Sequence, residues 1–474
     1  MELTQTLREH AGLKWVLDRL NPLSPFGRAA ARSLRWYGPG EESALEDELS
    51  NVERAIPLWA ENGPQFRALT RCLPLFHDIR GSLDRDGGNP FDLVELFEVK
   101  HFLLTLEQLA AAYAALPPFT GVAFTPMGEA LDLLDPSGRR LPAFSIEDSC
   151  HPELGPLRRE KNALESAIRT APEGEKAALL KQRRTLAVWE DALELEVRRG
   201  LTASLLALRD DFLANMEALA RLDLILAKAL LARRYGCVRP ALRRDGRVVL
   251  RGLRHPQVAH DLEARGEEFT PVDLTLEKGC TVITGANMGG KTVSLRGVTL
   301  ALLLCQCGFF VFAETAELPL FHRVALILAD SGPGSGGLSS FGGEVHALDA
   351  LLRESRETFF FLALDEFARG TNPQEGAALA RTLVRYLNGL DCVALMTTHY
   401  DGVSDAAAAH YQVAGLVREI SGDEDDDPRV RIARRMDYRL LSAPPGAPCP
   451  RDALRVCRLL NLDPALLDLF QAEI

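Results

Sequence analysis

The stretch Gly285-Ala286-Asn287-Met288-Gly289-Gly290-Lys291-Thr292 constrains this chain more than any other. It fits G-x-x-x-x-G-K-[ST], in which glycines let main-chain N–H groups close around phosphate oxygens and the helix that follows adds the positive end of its dipole. The flanks give the motif the context it needs. Thr281 to Thr284 reads as a short buried strand running into the loop, and Val293 to Leu304 as an apolar helix leaving it. Lys291 would reach the β- and γ-phosphates, and the Thr292 hydroxyl would hold Mg²⁺. A nucleotide is expected at Gly285 to Val293.

At 474 residues the chain has room for about three domains. Hydrophobic content of 47% and charged content of 25% describe an ordinary globular protein. The N-terminus has no basic-then-apolar layout, so no secretory signal is expected. The most apolar run, Val293 to Ala313, is broken by Ser294, Arg296, Gln306 and two glycines, and reads as a buried helix and strand and not a membrane span. Nine scattered cysteines form no disulfide framework, and Cys305 and Cys307 read as core. A reducing cytoplasm is the expected compartment. The net charge of −12 argues against a protein that coats itself with nucleic acid, while leaving room for a local basic stripe. Part of that acidity is the run Asp423 to Asp427, which reads as a solvated loop.

Taken in order, residues 1–120 read as a helical domain, with breaks at Pro22, Pro25, Gly38 to Gly40 and Asp86 to Pro90. Leu93, Leu96, Phe97, Leu103 and Leu104 share a helical face that suits packing, with His101 at its border. Residues 121–150 read as a turn-rich connection, hairpin-like from Gly121 to Phe144 with a turn at Leu133 to Gly138. Residues 151–235 follow helical spacing: Leu154, Leu157, Lys161, Leu164 and Ile168, then Leu179, Leu186 and Leu193, then Leu201, Leu205, Leu208 and Phe212. A long antiparallel helical hairpin with its tip at Ala171 to Gly174 is expected. Arg158, Arg159, Lys181, Arg183 and Arg184 decorate it, either as a face laced with salt bridges or as a nucleic-acid contact. Across residues 236–440 the apolar runs Arg247 to Leu250, Thr281 to Thr284, Phe359 to Leu364 and Val393 to Thr397 alternate with helical stretches. Runs without alternation suit a parallel sheet covered by helices on both faces.

The run Phe359 to Leu364 ends in Asp365 and Glu366. At the end of a parallel strand beside a phosphate loop, such a pair divides two jobs: Asp365 holds the Mg²⁺ shell and Glu366 orients or deprotonates the attacking water. His399, at the end of the run Leu395 to Thr398, is placed to sense the γ-phosphate. The segment Gly334 to Glu344 is rich in glycine and serine, whose backbone and hydroxyl groups suit phosphate oxygens.

Three stretches in this order, Thr284 to Thr292, Asp365-Glu366-Phe367-Ala368-Arg369-Gly370-Thr371 and Thr398-His399-Tyr400, resemble the ATPase domain of the MutS family, known from DNA mismatch repair. Ser339-Ser340-Phe341 with Glu344 resembles that family's signature loop, which reaches the ATP of the opposite subunit. Phe269 to Asp273 resembles the segment whose aromatic stacks on adenine, so Phe269 is either a base-stacking residue or a core phenylalanine. Arg254-His255-Pro256, Leu219 to Pro240 and, more weakly, Ser24 to Arg28 also match family segments. The resemblance implies an ABC-type α/β P-loop ATPase domain, a mostly parallel sheet between helices, preceded by an all-α core and lever domain. It implies ATP and Mg²⁺ as ligands, a homodimer with shared ATP sites, and residues 441–474 as a C-terminal dimerising segment.

Departures bear on the client. The family's mismatch-reading and connector domains find no counterpart, and its clamp has room only at Ala171 to Gly174. Thr292-Val293 stands where Ser-Thr is usual, keeping the Mg²⁺ hydroxyl, and Asn372-Pro373 stands where a small polar pair is usual. Two clients follow. One is DNA, damaged or branched, without true mismatch reading. The other is a protein, such as a cobalamin-dependent aminomutase that the ATPase reactivates.

Overall fold

The computed structural model describes residues 5–85, 89–285, 290–328, 340–416, 436–449 and 453–473. The chain divides into two units. One holds Met1–Leu20, Leu34–Glu53 and Lys228–Ile474, the other Asn21–Ser33 and Arg54–Ala227.

Among the described residues, every regular element of the second unit is a helix. Pro25 opens a helix, Pro25–Arg32, instead of breaking one. Ser24 caps it, its hydroxyl accepting from Gly27 N at 2.9 Å and donating to Asp223 Oδ2 at 2.7 Å. Helix Leu93–Ala114 starts from a capping box made by Asp92 and Glu95. Its buried side is wider than the face read from the sequence, taking in Val99, Phe102, Leu106 and Leu109, while Leu93 is exposed. The hairpin-like reading of Gly121 to Phe144 is corrected: Gly128–Leu134 is a helix whose Ala130, Leu131 and Leu134 are buried, and no strand lies there among the described residues. The turn expected at Leu133 to Gly138 is present, closed by Gly138 N donating to Asp135 O at 2.8 Å. Seven residues are too few to show helical period against flanking prolines and glycines.

Helices Leu154–Thr170 and Glu173–Ala207 form the long hairpin, joined at Ala171 and Pro172. Leu154, Leu157, Leu186 and Leu193 fill its apolar seam with Ile146. Beside them Arg158 donates to Glu190 Oε1 at 2.9 Å, Glu194 Oε1 at 2.8 Å and Asp148 Oδ1 at 2.7 Å. Lys161 also pairs with Glu190, and Arg183 with Glu165. Of the five basic residues singled out, Arg158 and Arg183 thus lace the hairpin, while Arg159, Lys181 and Arg184 are exposed. The helical run through Leu208 and Phe212 is broken once: one helix ends at Ala207, and Arg209–Tyr235 begins the next.

The first unit carries two sheets. Strands β1 (Ala241–Leu242), β2 (Val248–Leu253), β3 (Val272–Leu276) and β5 (Thr315–Leu318) make a four-stranded sheet in the order β1-β5-β2-β3. Strands β4 (Gly279–Thr284), β6 (Arg323–Leu328), β7 (Phe360–Asp365), β8 (Cys392–Thr398), β9 (Ala409–Leu416) and β10 (Met436–Ala443) make a six-stranded one in the order β10-β9-β4-β8-β7-β6. Every pairing in the second is parallel except β9 with β10. The expected parallel sheet therefore holds three of the four apolar runs. The fourth, in β2, lies in the other sheet, antiparallel to β3 and β5. An unbroken apolar run reports burial on both faces, not the direction of its neighbours.

β4 and β8 are buried at every position, and the helix Lys291–Gln306 is buried along nearly its whole length. The sheet order sets the register that matters. Because β8 lies between β4 and β7, Thr284 pairs with Thr398 and Asp365 with Thr397. Three strand ends thus open onto one edge, the place where open parallel sheets hold ligands. Among the described residues no helix is long and apolar enough to cross a membrane.

Candidate active site

β4 leaves the sheet through Gly285, at φ +136°, where a Cβ would stand 3.0 Å from Val413. Gly290, at φ +79°, is the residue before the helix Lys291–Gln306. Both are backbones that only glycine adopts without strain. Ala286, Asn287, Met288 and Gly289 lie outside the described residues. Thr284 is fixed behind the loop by His410, whose Nε2 is 2.8 Å from Thr284 Oγ1 and whose Nδ1 is 3.0 Å from Pro444 O. A carbonyl only accepts, so Nδ1 carries the proton and Nε2 accepts from the threonine.

Lys291 folds back over the loop. Its Nζ donates to Gly285 O at 2.7 Å and lies 3.5 Å from Glu366 Oε1, with 2% of the side chain exposed. Burial pushes its pKa down, and Glu366 opposes that shift. The next residue, Thr292, places its Oγ1 2.9 Å from both Asp365 carboxylate oxygens. Thr397, across the β7–β8 register, donates its hydroxyl to Asp365 Oδ1 at 2.7 Å. A hydroxyl and a carboxylate beside a phosphate loop are the hard oxygen donors that Mg²⁺ takes, with phosphate and water completing its shell.

Glu366 follows in a constrained turn. It is buried, and both it and Ala368 have left-handed backbones, at φ +47° and +65°. For non-glycine residues such geometry costs about 1–3 kcal/mol each and persists only where the surroundings impose it. They do so from three sides. Glu366 N donates to Thr397 O at 3.1 Å, Ala368 N to Glu344 Oε2 at 3.0 Å, and Tyr400 OH to Ala368 O at 3.1 Å. Gly376 leaves room for this, because a Cβ there would lie 2.6 Å from Tyr400 OH and 2.9 Å from Ala368 O. The Glu366 carboxylate also accepts from Arg369 Nη1 at 2.9 Å. His399 Nδ1 is 3.9 Å from Glu366 Oε1, beyond hydrogen-bond reach, and its ring is partly exposed. Burial lowers the His399 pKa, with Glu366 pulling the other way.

Beside the loop opens a cavity of about 550 Å³ whose wall includes Phe269, Val258, Leu262, Gly290, Val293 and Tyr438. Phe269 is only half-buried and lines this cavity. Tyr438 escaped the sequence reading. Its Cδ1 stands 3.3 Å from where a Cβ on Gly290 would be, so its ring covers the start of the helix. It lies on β10, far along the chain from Phe269, and the β9–β10 pairing helps to bring it here. Thr397, the partner of Asp365, and Glu344, the acceptor for Ala368 N, were equally hidden in those roles. Ser339 lies outside the described residues, so the structure brings together Gly285, Gly290, Lys291, Thr292, Val293, Asp365, Glu366 and His399, with Phe269 on the adjoining cavity.

The family description MutS domain V matches residues 281–436. The chain is 32% identical over 281 residues to an Endonuclease MutS2 of Shouchella clausii, and 38% identical over 211 residues to the DNA mismatch repair protein MutS of Thermus aquaticus. These matches cover 59% and 44% of this chain. Residues 281–436 thus carry the likeness to MutS domain V. The chain spans a third or less of these curated relatives, 33% of the first and 24% of the second. The MutS domain V segment contains Lys291, Thr292, Asp365, Glu366 and His399, while Phe269 and Tyr438 lie on either side of it.

Proposed function

We propose that this chain binds ATP at the shared edge of β4, β7 and β8 and hydrolyses it, and that turnover is coupled to DNA. The observation that carries the nucleotide reading is convergence: a buried ammonium, a hydroxyl–carboxylate pair and a buried glutamate meet beside a half-apolar cavity large enough for a base and ribose. Lys291 exchanges its contacts with Gly285 O and Glu366 for phosphate oxygens. Thr292 and Asp365 hold Mg²⁺, which when bound offsets the charge of the β- and γ-phosphates. Glu366 orients the attacking water and accepts its proton, and His399 contacts the γ-phosphate side. Phe269 and Tyr438 receive the base. A second copy completes each site through its Ser339 segment, making the active form a homodimer.

Phe269→Ala is expected to cost about 1–3 kcal/mol of base stacking, raising the KM for ATP roughly 5- to 150-fold with kcat little changed. A KM that does not move would return Phe269 to packing.

DNA is favoured as client by the mismatch-repair name of the Thermus aquaticus relative and by the exposed Arg159, Lys181 and Arg184 on the hairpin. The test is the steady-state ATPase rate with homoduplex, mismatched and branched DNA across a salt series, with Glu366→Gln as blank. Stimulation should fade as salt rises, because phosphate contacts release counterions. A rate indifferent to every DNA would remove the coupling.

A further inference from the structure

The turn that presents Glu366 is tied to a second element whose role in turnover the site alone does not explain. Helix Ser340–Glu354 touches it twice. Phe341 lies against Phe367, ring centroids 6.5 Å apart, and the Glu344 carboxylate accepts from Ala368 N at 3.0 Å. Glu344 is 5% exposed, and its carboxylate bonds a main-chain group two residues past Glu366. Leu348 and Leu351, further along the helix, are set in the same apolar core as Phe367 and Ala368. The helix and the turn therefore share one core, and a polar link between them falls on a residue with a left-handed backbone.

We propose that Glu344 is a positioning residue for hydrolysis. Through Ala368 N–H it holds the left-handed turn that aims the Glu366 carboxylate, and it makes that aim depend on where helix Ser340–Glu354 stands. The proposal rests on the reading of Glu366 as the group that activates water.

Two variants separate this role from a structural one. Glu344→Met keeps the length of the side chain and removes the acceptor, whereas Glu344→Gln keeps an acceptor oxygen without the charge. Displacing a reacting group by about 1 Å costs on the order of 10²-fold in rate, so Glu344→Met should lose about that much in kcat, with its Kd for ATP within threefold of the unmodified chain. Glu344→Gln should keep a third or more of kcat. A purely structural residue would instead lower binding and turnover together, and would not distinguish methionine from glutamine. Val345→Ala, at an exposed position beside it, should match the unmodified chain. If Glu344→Met does not fold, Glu344→Asp, which withdraws the acceptor by one methylene, takes its place with the same expected split. Unchanged kcat in Glu344→Met, equal losses of kcat and affinity, or Glu344→Gln as impaired as Glu344→Met would overturn the proposal alone. An unmodified chain that binds no ATP would overturn the ATPase reading, and this one with it.

Discussion

Glu366→Gln should bind ATP at least as tightly as the unmodified chain and hydrolyse it about 10²- to 10⁴-fold more slowly, the range that a positioned general base contributes. Glutamine fits the same space, and its amide oxygen still accepts from Arg369, so the turn from Asp365 to Arg369 should keep its form. Only the ability to take a proton is lost. Binding should not suffer, because the carboxylate sits 3.5 Å from the Lys291 ammonium and competes with phosphate for it. Removing that negative charge from a buried site frees the ammonium for the ligand and removes a repulsion. Equilibrium titration with ATP, followed by single-turnover hydrolysis, separates the two effects. Turnover within threefold of the unmodified chain would take the role of base away from Glu366. A lost affinity would mean that the carboxylate serves to hold Lys291 in place.

How far the sequence reveals this site depends on whether its residues are neighbours in the chain. Lys291 and Thr292 are legible because a phosphate loop needs its groups consecutive, and Asp365-Glu366 because a strand end delivers them together. The partners that make those groups work are placed by sheet order. Thr397 reaches Asp365 because β8 inserts between β4 and β7, and nothing local in Leu395 to Thr398 records that insertion. Tyr438 reaches the cavity by an antiparallel pairing, and His410 bridges Thr284 and Pro444 because β9 flanks β4. The same reason explains the misplacing of β2. Its apolar run carries the information that it is covered, and the antiparallel partners are set by β3 and β5, each distant in the chain. The hairpin was readable because its seam repeats over many turns, and its charges pair across that seam at helical spacing. Gly128–Leu134 was not, being shorter than two full helical periods.

Lys291→Ala should remove nucleotide binding. The ammonium is almost wholly buried, and burial already lowers its pKa, so the charge is held there against a desolvation cost that only strong partners offset. Gly285 O and Glu366 are among those partners, and phosphate oxygens are better ones. Truncating one member of a buried charge pair costs about 2–5 kcal/mol, or roughly 30- to 4,000-fold in Kd. Lys291→Arg should not rescue it, since a planar five-donor guanidinium does not fit a slot shaped by one carbonyl at 2.7 Å. Thermal unfolding with and without ATP gives the decisive comparison. A ligand at 100 times its Kd adds about 2.7 kcal/mol to the stability of the form that binds it, whereas a Kd raised 10²-fold or more leaves less than about 0.5 kcal/mol at the same concentration. An ATP-dependent shift that survives in Lys291→Ala would mean that this chain's glycine-rich loop is not where the nucleotide is held. The acids at the end of β7 would then need another explanation than catalysis.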